Sequence, residues 1–587
     1  MSNKNYKVSK GQMEYVLRVP GNGSEGMVVR SNEEQNSMQA CKMGINPPVR
    51  YFNAQNGIKL ADYVRNAETL NGATIQRPAN MKKIAAIFHT LHHSHIRFGN
   101  EFNVFKEILN YEVLLKQAGG KMYDGFETIR EKVFLLEDYL NQLGVSVKPC
   151  HNDLVAENFL KAEDGTIYLI DWEYSGMNDP MWDIAALFLE NNFTEENQDY
   201  FLNHYFEGKE PENARRKILV YQILMDYLWA VWTVIKEAQG DDFGTYGRDR
   251  YNRAIENLKK IDLMKAKTSA LMRKGYTTGV LSGMTWGLDT VLIGVAMAMA
   301  PFVENPVLLV GGTFICSMLH DAFAALWMLF IMGCKGRLKE LWPAFKSKDG
   351  LYCALGALFG GPLAMTFYML AIANGGAALT ATVTACYPLL GSAMAMVILK
   401  EKVRLRGWLG LLICIMGIIY IGYTPESETD VNIIGGIMLA AIAAIGWATE
   451  GVVCGYGMKA GNVDPQMALL IRELTSGVVY ILLVAPIMVG GYDNLVTGTV
   501  AVFSDTACWM TMFFTALIGM ISFFCWYTAI DLIGAAKALC LNVTYSFWAV
   551  VFTFVIVGSA LSINIIVGAI LVVTGVAVAT LVSRKKK

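Results

Sequence analysis

Residues 151–174 read HNDLVAENFLKAEDGTIYLIDWEY, and this stretch decides the fold of the N-terminal part of the chain. It contains the spacing HxDxxxxN, followed by a short apolar strand that ends at an aspartate. Phosphoryl transfer needs a carboxylate that accepts the proton of the attacking hydroxyl, and oxygen ligands that hold magnesium against the phosphates. Asp153 would be that base, and Asn158 and Asp171 would be the metal ligands. The alternative is a chance loop in which Asp and Asn only form turns.

The residues around this loop predict an α+β domain over residues 1–265. Two β-rich runs, 15–19 and 26–30, lie near the start of the chain with glycines between them. From about residue 80 the pattern is mostly helical, apart from a strand at 166–170. A basic, polar stretch then predicts a linker at 266–275.

The C-terminal part, 276–587, predicts an all-α membrane domain with the lipid bilayer as its partner. Its composition changes to long apolar stretches, and a helix needs about 20 such residues to cross a bilayer. Ten spans are predicted, near 276–298, 307–332, 351–373, 377–399, 406–423, 432–457, 466–490, 506–532, 536–558 and 562–582.

The basic residues of the loops predict the orientation of these helices. Lys and Arg collect on the cytoplasmic side of membrane proteins. In this chain they occupy the even-numbered loops and the tail, so both termini are predicted to be cytoplasmic. These residues are Lys335, Arg337, Lys339, Lys346, Lys348, Lys400, Lys402, Arg404, Arg406, Lys459, Lys537 and 584–587.

The membrane part also contains an internal repeat, with halves at about 276–423 and 432–583. Residues 387–420 align with 545–578 without a gap. Because five is an odd number, two five-helix halves must be inverted relative to each other in the membrane. Inverted repeats are typical of transporters, whose substrate site lies near the midplane where the halves meet. The alignment places Tyr387 on Tyr545, Gly410 on Gly568 and Gly417 on Gly575.

Two carboxylates stand at equivalent points of the repeat, Asp289 in helix 1 and Glu450 in helix 6. Each follows a tryptophan by three residues, Trp286 and Trp447, which lie on the same helical face. Ionisable residues inside spanning helices are costly and are usually functional. A carboxylate beside an aromatic ring suits an organic cation. The alternative is packing aromatics, with the carboxylates satisfied by neighbouring polar groups.

Other membrane residues extend this candidate transport site. His320 and Asp321 in helix 2 could belong to a proton path, whereas Arg472 and Glu473 are expected near the inner end of helix 7, where they only snorkel. Further candidate aromatic side chains for the substrate, each with plain packing as the alternative, are Tyr387, Trp526, Tyr527 and Tyr545.

Composition excludes several other functions. The 50 basic and 51 acidic residues are balanced, so nucleic acid is not an expected partner. The 11 cysteines are scattered without a CxxC pair, which argues against a disulfide framework or a zinc site. Four histidines, His89, His92, His93 and His95, are better explained as a polar helix face than as a metal site.

The N-terminal part resembles the choline/ethanolamine kinase family, which is related to the aminoglycoside phosphotransferases. Besides the loop motif, the resemblance rests on Tyr15-Val16-Leu17-Arg18 and on the run Arg30-x-x-Glu33-x-x-Asn36. It implies ATP and Mg²⁺ as cofactors, Arg18 as the phosphate-binding base and Glu33 as its helix partner. It also implies a choline site formed by Trp229, Trp232, Tyr246 and Glu173.

One departure from that family concerns the start of the domain. Relatives have a short segment with a glycine-rich turn before the strand that opens this chain. The first strand of the nucleotide lobe is therefore expected to be missing, and ATP binding is expected to be affected. An inactive kinase-like domain that regulates transport remains an alternative.

The C-terminal part resembles the EamA-type transporters of the drug/metabolite superfamily, and most closely bacterial choline permeases through Gly283-Met284-Thr285-Trp286-Gly287-Leu288-Asp289-Thr290. The two resemblances together imply choline uptake across the cytoplasmic membrane of a bacterium, coupled to phosphorylation of choline. Export of drugs or metabolites is a further alternative. No cofactor is expected for the transporter part, and homodimer formation is left open.

Overall fold

The computed structural model describes residues 3–21, 28–422, 432–459, 461–558 and 562–580. The chain forms two compact units, Met1–Ala266 and Lys267–Lys587. The boundary lies within the predicted linker at 266–275. Those residues are helical, because they belong to one continuous helix, Tyr246–Met297.

The N-terminal unit begins with an antiparallel sheet of four strands in the order β1-β2-β4-β3. The strands are β1 (Lys4–Lys10), β2 (Met13–Val19), β3 (Val49–Phe52) and β4 (Lys59–Asp62). Helix α1 (Arg30–Lys42) follows β2. The strand predicted at 26–30 is wrong at its C-terminal end, since Val28 and Val29 are in no strand and Arg30 begins α1; residues 26 and 27 lie outside the described residues.

Two small sheets and a group of helices form the rest of this unit. The sheets contain β5 (Glu68–Thr69), β7 (Phe159–Lys161) and β8 (Ile167–Leu169), and β6 (Lys148–Cys150) with β9 (Gly176–Asn178). The strand predicted at 166–170 is thereby confirmed as β8. The helices are α2 (Pro78–His92), α3 (Val104–Ala118), α4 (Phe126–Leu143), α5 (Pro180–Glu190), α6 (Glu195–Tyr205), α7 (Ala214–Ala238) and α8 (Tyr246–Met297).

The apolar faces of these helices form one core. Phe88 of α2 packs against Phe201 of α6, with ring centroids 5.6 Å apart, and Phe201 in turn meets Phe188 of α5 at 5.5 Å. All three rings are buried. Because burial of apolar surface is the main stabilising force in folding, this cluster holds α2, α5 and α6 together.

Helices occur at all ten predicted positions. Nine of them are long and apolar enough to cross a membrane, and the fifth is a shorter apolar helix. Span 1 is the C-terminal part of α8, and spans 2 to 10 are Pro306–Cys334, Lys348–Gly375, Ala377–Ile398, Leu405–Gly422, Ile433–Lys459, Pro465–Met488, Thr506–Ile533, Ala535–Val557 and Ile563–Thr580. Among the described helices, α7 is also long and apolar enough to cross a membrane. It belongs to the core of the N-terminal unit, where 78% of its most apolar window is buried.

Several spans contain local irregularities, and short helices lie between them. Spans 3, 7 and 9 include π-helical turns at Phe359–Leu363, Tyr480–Val484 and Thr553–Val557, and span 4 is interrupted between Thr384 and Tyr387. Such turns are often found at functional sites. The short helices outside the spans are Ala300–Glu304, Leu338–Glu340, Leu341–Lys346 and Tyr492–Ser504.

Spans 5 and 10 show the inverted repeat directly. A Cβ at Gly417 would lie 2.6 Å from the main-chain oxygen of Gly568, and one at Gly575 would lie 2.5 Å from that of Gly410. The two helices therefore touch through their backbones. They are antiparallel, because Gly410 of span 5 meets Gly575 of span 10 whereas the later Gly417 meets the earlier Gly568. The alignment of the repeat converts one contact into the other, as a two-fold relation between the halves requires.

Candidate functional site

The catalytic loop of the N-terminal unit lies between β6 and β8. Asp153 follows β6, and Asn158 ends a short 3₁₀ turn. The Asn158 side-chain amide donates to the main-chain oxygen of Asp153 at 2.9 Å. Asp171 follows β8, and the His151 ring nitrogen Nε2 lies 2.9 Å from the main-chain oxygen of Ile170. Asp153 and Asp171 therefore line one cavity, and Asn158 binds the main chain of Asp153 next to it.

Two residues of this region have left-handed backbones, although neither is glycine. The φ angle is 70° at Asn152 and 67° at Asp171. A non-glycine residue in this region carries strain, which persists only where the surroundings hold it. The backbone is therefore fixed on both sides of the loop.

Asp183 of α5 holds the loop in place, and sequence reasoning did not find it. Its carboxylate accepts the main-chain N–H groups of His151 and Asn152, both at 2.8 Å. His92 of α2 lies 3.1 Å from the same carboxylate and 2.9 Å from the Tyr205 hydroxyl. His92 is therefore a buried structural partner of the loop, on a polar part of helix α2 inside the fold.

A group of charged side chains lines the cavity that Asp153 and Asp171 share, which has a volume of about 650 Å³. Arg18 forms ion pairs with Glu33 and, at 2.9 Å, with Asp171. Lys59 of β4, which sequence reasoning missed, lies 3.2 Å from Glu33. Burial lowers the pKa of Lys59, because the charged ammonium is less stable away from water. The predicted Arg18–Glu33 pair is thus present, and two cations face the space beside Asp171.

Glu173, predicted to bind choline, is held by cations of the same group. Its carboxylate lies 2.8 Å from Arg30, 3.1 Å from Arg18 and 2.8 Å from the Asn3 amide. Burial alone would raise the pKa of Glu173, but the two arginines outweigh it and hold that pKa below its ordinary value. Glu173 also lines the aromatic cavity described next.

The larger cavity, of about 1040 Å³, has an aromatic wall. Trp229 and Trp232 of α7 meet edge to face at 5.6 Å, and Trp232 packs on Phe243 at 5.2 Å. Tyr246, the first residue of α8, completes this wall. The three predicted aromatic residues therefore come together, and Phe243 joins them.

The two cavities meet at the predicted base. Asp153, Glu173 and Tyr174 line both of them. Burial, with Asp171 and Glu190 nearby, raises the pKa of Asp153 to about 7. A base with such a pKa can accept a proton near neutral pH. The carboxylate of Asp171 and the amide oxygen of Asn158 are donors that Mg²⁺ prefers, so these two residues fit that ion.

In the C-terminal unit, the predicted aromatic residues form two equivalent pairs. Trp286 of span 1 lies 6.0 Å from Tyr545 of span 9, and Trp447 of span 6 lies 6.0 Å from Tyr387 of span 4. The repeat alignment converts one pair into the other. The Tyr387 hydroxyl donates to the side-chain oxygen of Asn542 at 2.8 Å. The two halves thus present matched aromatic surfaces.

The predicted carboxylates belong to a buried chain of charges. Asp289 lies 3.0 Å from Nε2 of His320, whose Nδ1 is 3.4 Å from Asp321. Asp321 lies 3.4 Å from Arg472, and Arg472 lies 3.1 Å from Glu450. This charge chain therefore joins the two halves of the inverted repeat. Glu473 is also paired with Arg472, at 2.8 Å.

Comparison with known proteins identifies both units. Residues 1–255 match the family model of choline/ethanolamine kinase, and residues 273–423 and 434–581 each match that of the EamA-like transporters. The protein LicA of Haemophilus influenzae is 31% identical over 279 residues, which cover 44% of this chain and 100% of LicA. The chain belongs to both families.

Further relatives agree with each half. The protein LicB of Haemophilus influenzae is 26% identical over 277 residues, covering 47% of this chain and 87% of LicB. The crystal structure of choline kinase LicA from Streptococcus pneumoniae is 41% identical and covers 44% of this chain and 91% of that chain, with a TM-score of 0.40. The two family matches make the protein a multi-pass membrane protein with a choline kinase-like domain, called the kinase domain below, and a transporter domain.

The snorkelling predicted for span 7 of the transporter domain is wrong. Arg472 is 3% exposed and Glu473 is 1% exposed. Neither side chain reaches a membrane surface, since both point into the buried charge chain. The hydropathy pattern could not show that these side chains are buried. Their burial depends on charged partners from other spans, Asp321 and Glu450.

The remaining predicted aromatic residues, Trp526 and Tyr527, are buried in span 8. The Tyr527 hydroxyl donates to Glu450 at 3.1 Å, and so it binds the charge chain. Trp526 packs on Phe523 with ring centroids 6.0 Å apart. Phe523, which sequence reasoning missed, also contacts Trp286 at 5.1 Å.

Glycines make room for the charge chain. Gly360 lies in the π-helical turn of span 3, and a Cβ there would overlap the carboxylate of Glu450. A Cβ at Gly519 of span 8 would lie 2.5 Å from Nε2 of His320 and 3.0 Å from Asp289. Close packing of this kind holds the charged groups away from lipid and in fixed positions.

Proposed function

We propose that this protein takes up choline across the cytoplasmic membrane of a bacterium and phosphorylates it with ATP. The observation that carries the proposal concerns the aromatic cavity of the kinase domain. At Asp153 it meets the cavity lined by Arg18, Lys59 and Asp171, where we place the nucleotide. Ring faces and a nearby negative charge attract a quaternary ammonium, which has no N–H group to donate. The relative from Streptococcus pneumoniae is described as a choline kinase, and a LicA crystal structure contains AMP.

In the kinase domain, the aromatic wall holds the trimethylammonium group while Asp153 orients the hydroxyl and accepts its proton. Arg18, fixed by Glu33, faces the phosphates and balances their charge. Asn158 and Asp171 would hold magnesium. When bound, that ion neutralises charge on the transferred phosphoryl group.

In the transporter domain, the two Trp–Tyr pairs and the neighbouring carboxylates receive the same cation. Each pair joins one half of the inverted repeat to the other. Alternating access exposes a site between such halves to each side of the membrane in turn. The orientation predicted from the loop charges places the kinase domain in the cytoplasm. Phosphorylation there adds a negatively charged group, and the product no longer fits the carrier.

Uptake of labelled choline into proteoliposomes that contain ATP and magnesium tests the proposal. We expect labelled phosphocholine in the lumen. Asp153→Asn should keep the initial rate of uptake and lose the product, because Asp153 lies outside the transporter domain. Uptake without phosphocholine in the unmodified protein would favour an inactive, regulatory kinase-like domain, and efflux without uptake would favour an exporter.

The carboxylates of the transporter domain are tested separately. Asp289→Asn and Glu450→Gln should each weaken choline uptake while the protein still folds and inserts. If both variants keep the original KM, the charge that attracts choline lies elsewhere, with Asp321 the next residue to test.

A further inference from the structure

Arg472 of span 7 stands between the charge chain and the aromatic surface. Its guanidinium contacts Glu450, Glu473 and Asp321 at 3.1, 2.8 and 3.4 Å. It also lies 4.0 Å from the ring centroid of Phe523. An arginine on a ring face makes the kind of contact that a quaternary ammonium would make.

Phe523 connects this arginine to the candidate substrate site. Its ring is 5.1 Å from that of Trp286, which pairs with Tyr545 at 6.0 Å. The positive charge of Arg472 therefore lies one ring away from the surface proposed to bind choline. At that distance, in a buried site, like charges repel strongly.

The charges around Arg472 are unequal in number. Four buried carboxylates, Asp289, Asp321, Glu450 and Glu473, face one arginine and His320. Without the arginine the site would be strongly negative. A carrier must hold its substrate weakly enough to release it, so such a site would bind a cation too tightly.

We propose that Arg472 is an internal counter-cation that sets how tightly the transporter domain holds its cationic substrate. It compensates Glu450, Glu473 and Asp321. The charge of choline is then balanced by Asp289, three residues after Trp286, whose partner in the charge chain is His320. Arg472 is thus a specificity-determining residue that acts through charge. This inference rests on the proposed function, because it assumes that choline is transported.

Uptake into proteoliposomes without ATP measures this effect in the full chain. Arg472→Gln should lower the KM for choline by about tenfold and also lower the maximal rate, because release becomes slow. Inhibition by 3,3-dimethylbutan-1-ol, the uncharged isostere of choline, should keep its Ki. Arg472→Lys retains the charge and is the matched control, with a KM near that of the unmodified protein.

The double variant Arg472→Gln with Glu450→Gln removes one positive and one negative charge and should restore the original KM. An equal change for choline and the isostere, or a weaker binding of both, would mean that Arg472 only supports the fold. If Arg472→Gln does not insert, Glu473→Gln decides the question. It leaves Arg472 less compensated and should raise the KM for choline alone, so an unchanged KM would overturn the proposal. Failure of the unmodified protein to take up choline would instead refute the proposed function.

Discussion

Replacing Asp183 with Asn should disable the kinase domain without touching a group that contacts substrate. The carboxylate accepts two main-chain N–H groups, from His151 and Asn152, each at 2.8 Å, and the side chain is fully buried. Hydrogen bonds to a charged acceptor contribute about 1.5–3 kcal/mol each. An asparagine offers one carbonyl oxygen, and its NH₂ group would face the second N–H group, donor against donor.

The loss is therefore one hydrogen bond, whose N–H group is left buried and unpaired, together with the charge assistance of the other bond. We expect the loop to be destabilised by about 3–4 kcal/mol, less than the 5–15 kcal/mol that holds a typical domain. The domain should stay folded while the loop opens. A displacement of about 1 Å at a catalytic group can lower the rate by about 100-fold.

Hydrogen–deuterium exchange of the full chain measures this loop directly. In Asp183→Asn, the amides of His151 and Asn152 should exchange about two to three orders of magnitude faster, and phosphocholine formation should fall in parallel. Asp179→Asn is the matched control, because that buried carboxylate of the same helix region binds the Met181 N–H group and Lys217 instead. Unchanged protection of the two amides in Asp183→Asn would refute this reasoning.

Three further predictions concern both domains. Trp286→Ala and Trp447→Ala should each weaken choline binding in the transporter domain by about 1–2 kcal/mol, and phenylalanine should cost less because a ring face remains; uptake KM values measure this, and equal KM values for all variants would contradict it. Asp153→Asn should lower long-term accumulation of choline in cells although its initial uptake is retained, because unphosphorylated choline can leave by the same carrier. Gly360→Ala should lower the uptake rate, since its methyl group overlaps a carboxylate of span 6, whereas Gly294→Ala, with open space around it, should not.

The sequence predicted the arrangement of the catalytic loop because the spacing that sets it is local. The spacing of Asp153 and Asn158 is fixed by one turn, and the following strand leads to Asp171. Asp183 and Lys59 were missed for a different reason. Asp183 lies in helix α5 and Lys59 in strand β4, both outside the loop in sequence, and only the tertiary fold brings them into contact with the site.

In the transporter domain, symmetry predicted more than hydropathy did. The repeat alignment was enough to match Trp286–Tyr545 with Trp447–Tyr387, because an inverted repeat must reproduce each contact in both halves. The charges do not obey that symmetry. Span 7 supplies an arginine to the charge chain, whereas span 2 supplies a histidine.

This difference gives the equivalent carboxylates different surroundings. Asp289 pairs with His320, and Glu450 is held by Arg472 and Tyr527. Since a permanent positive charge already compensates Glu450, we expect the two acids to contribute unequally to the attraction of choline. A transporter that evolved from two similar halves can thus keep a symmetric aromatic surface for shape while one asymmetric arginine adjusts the charge.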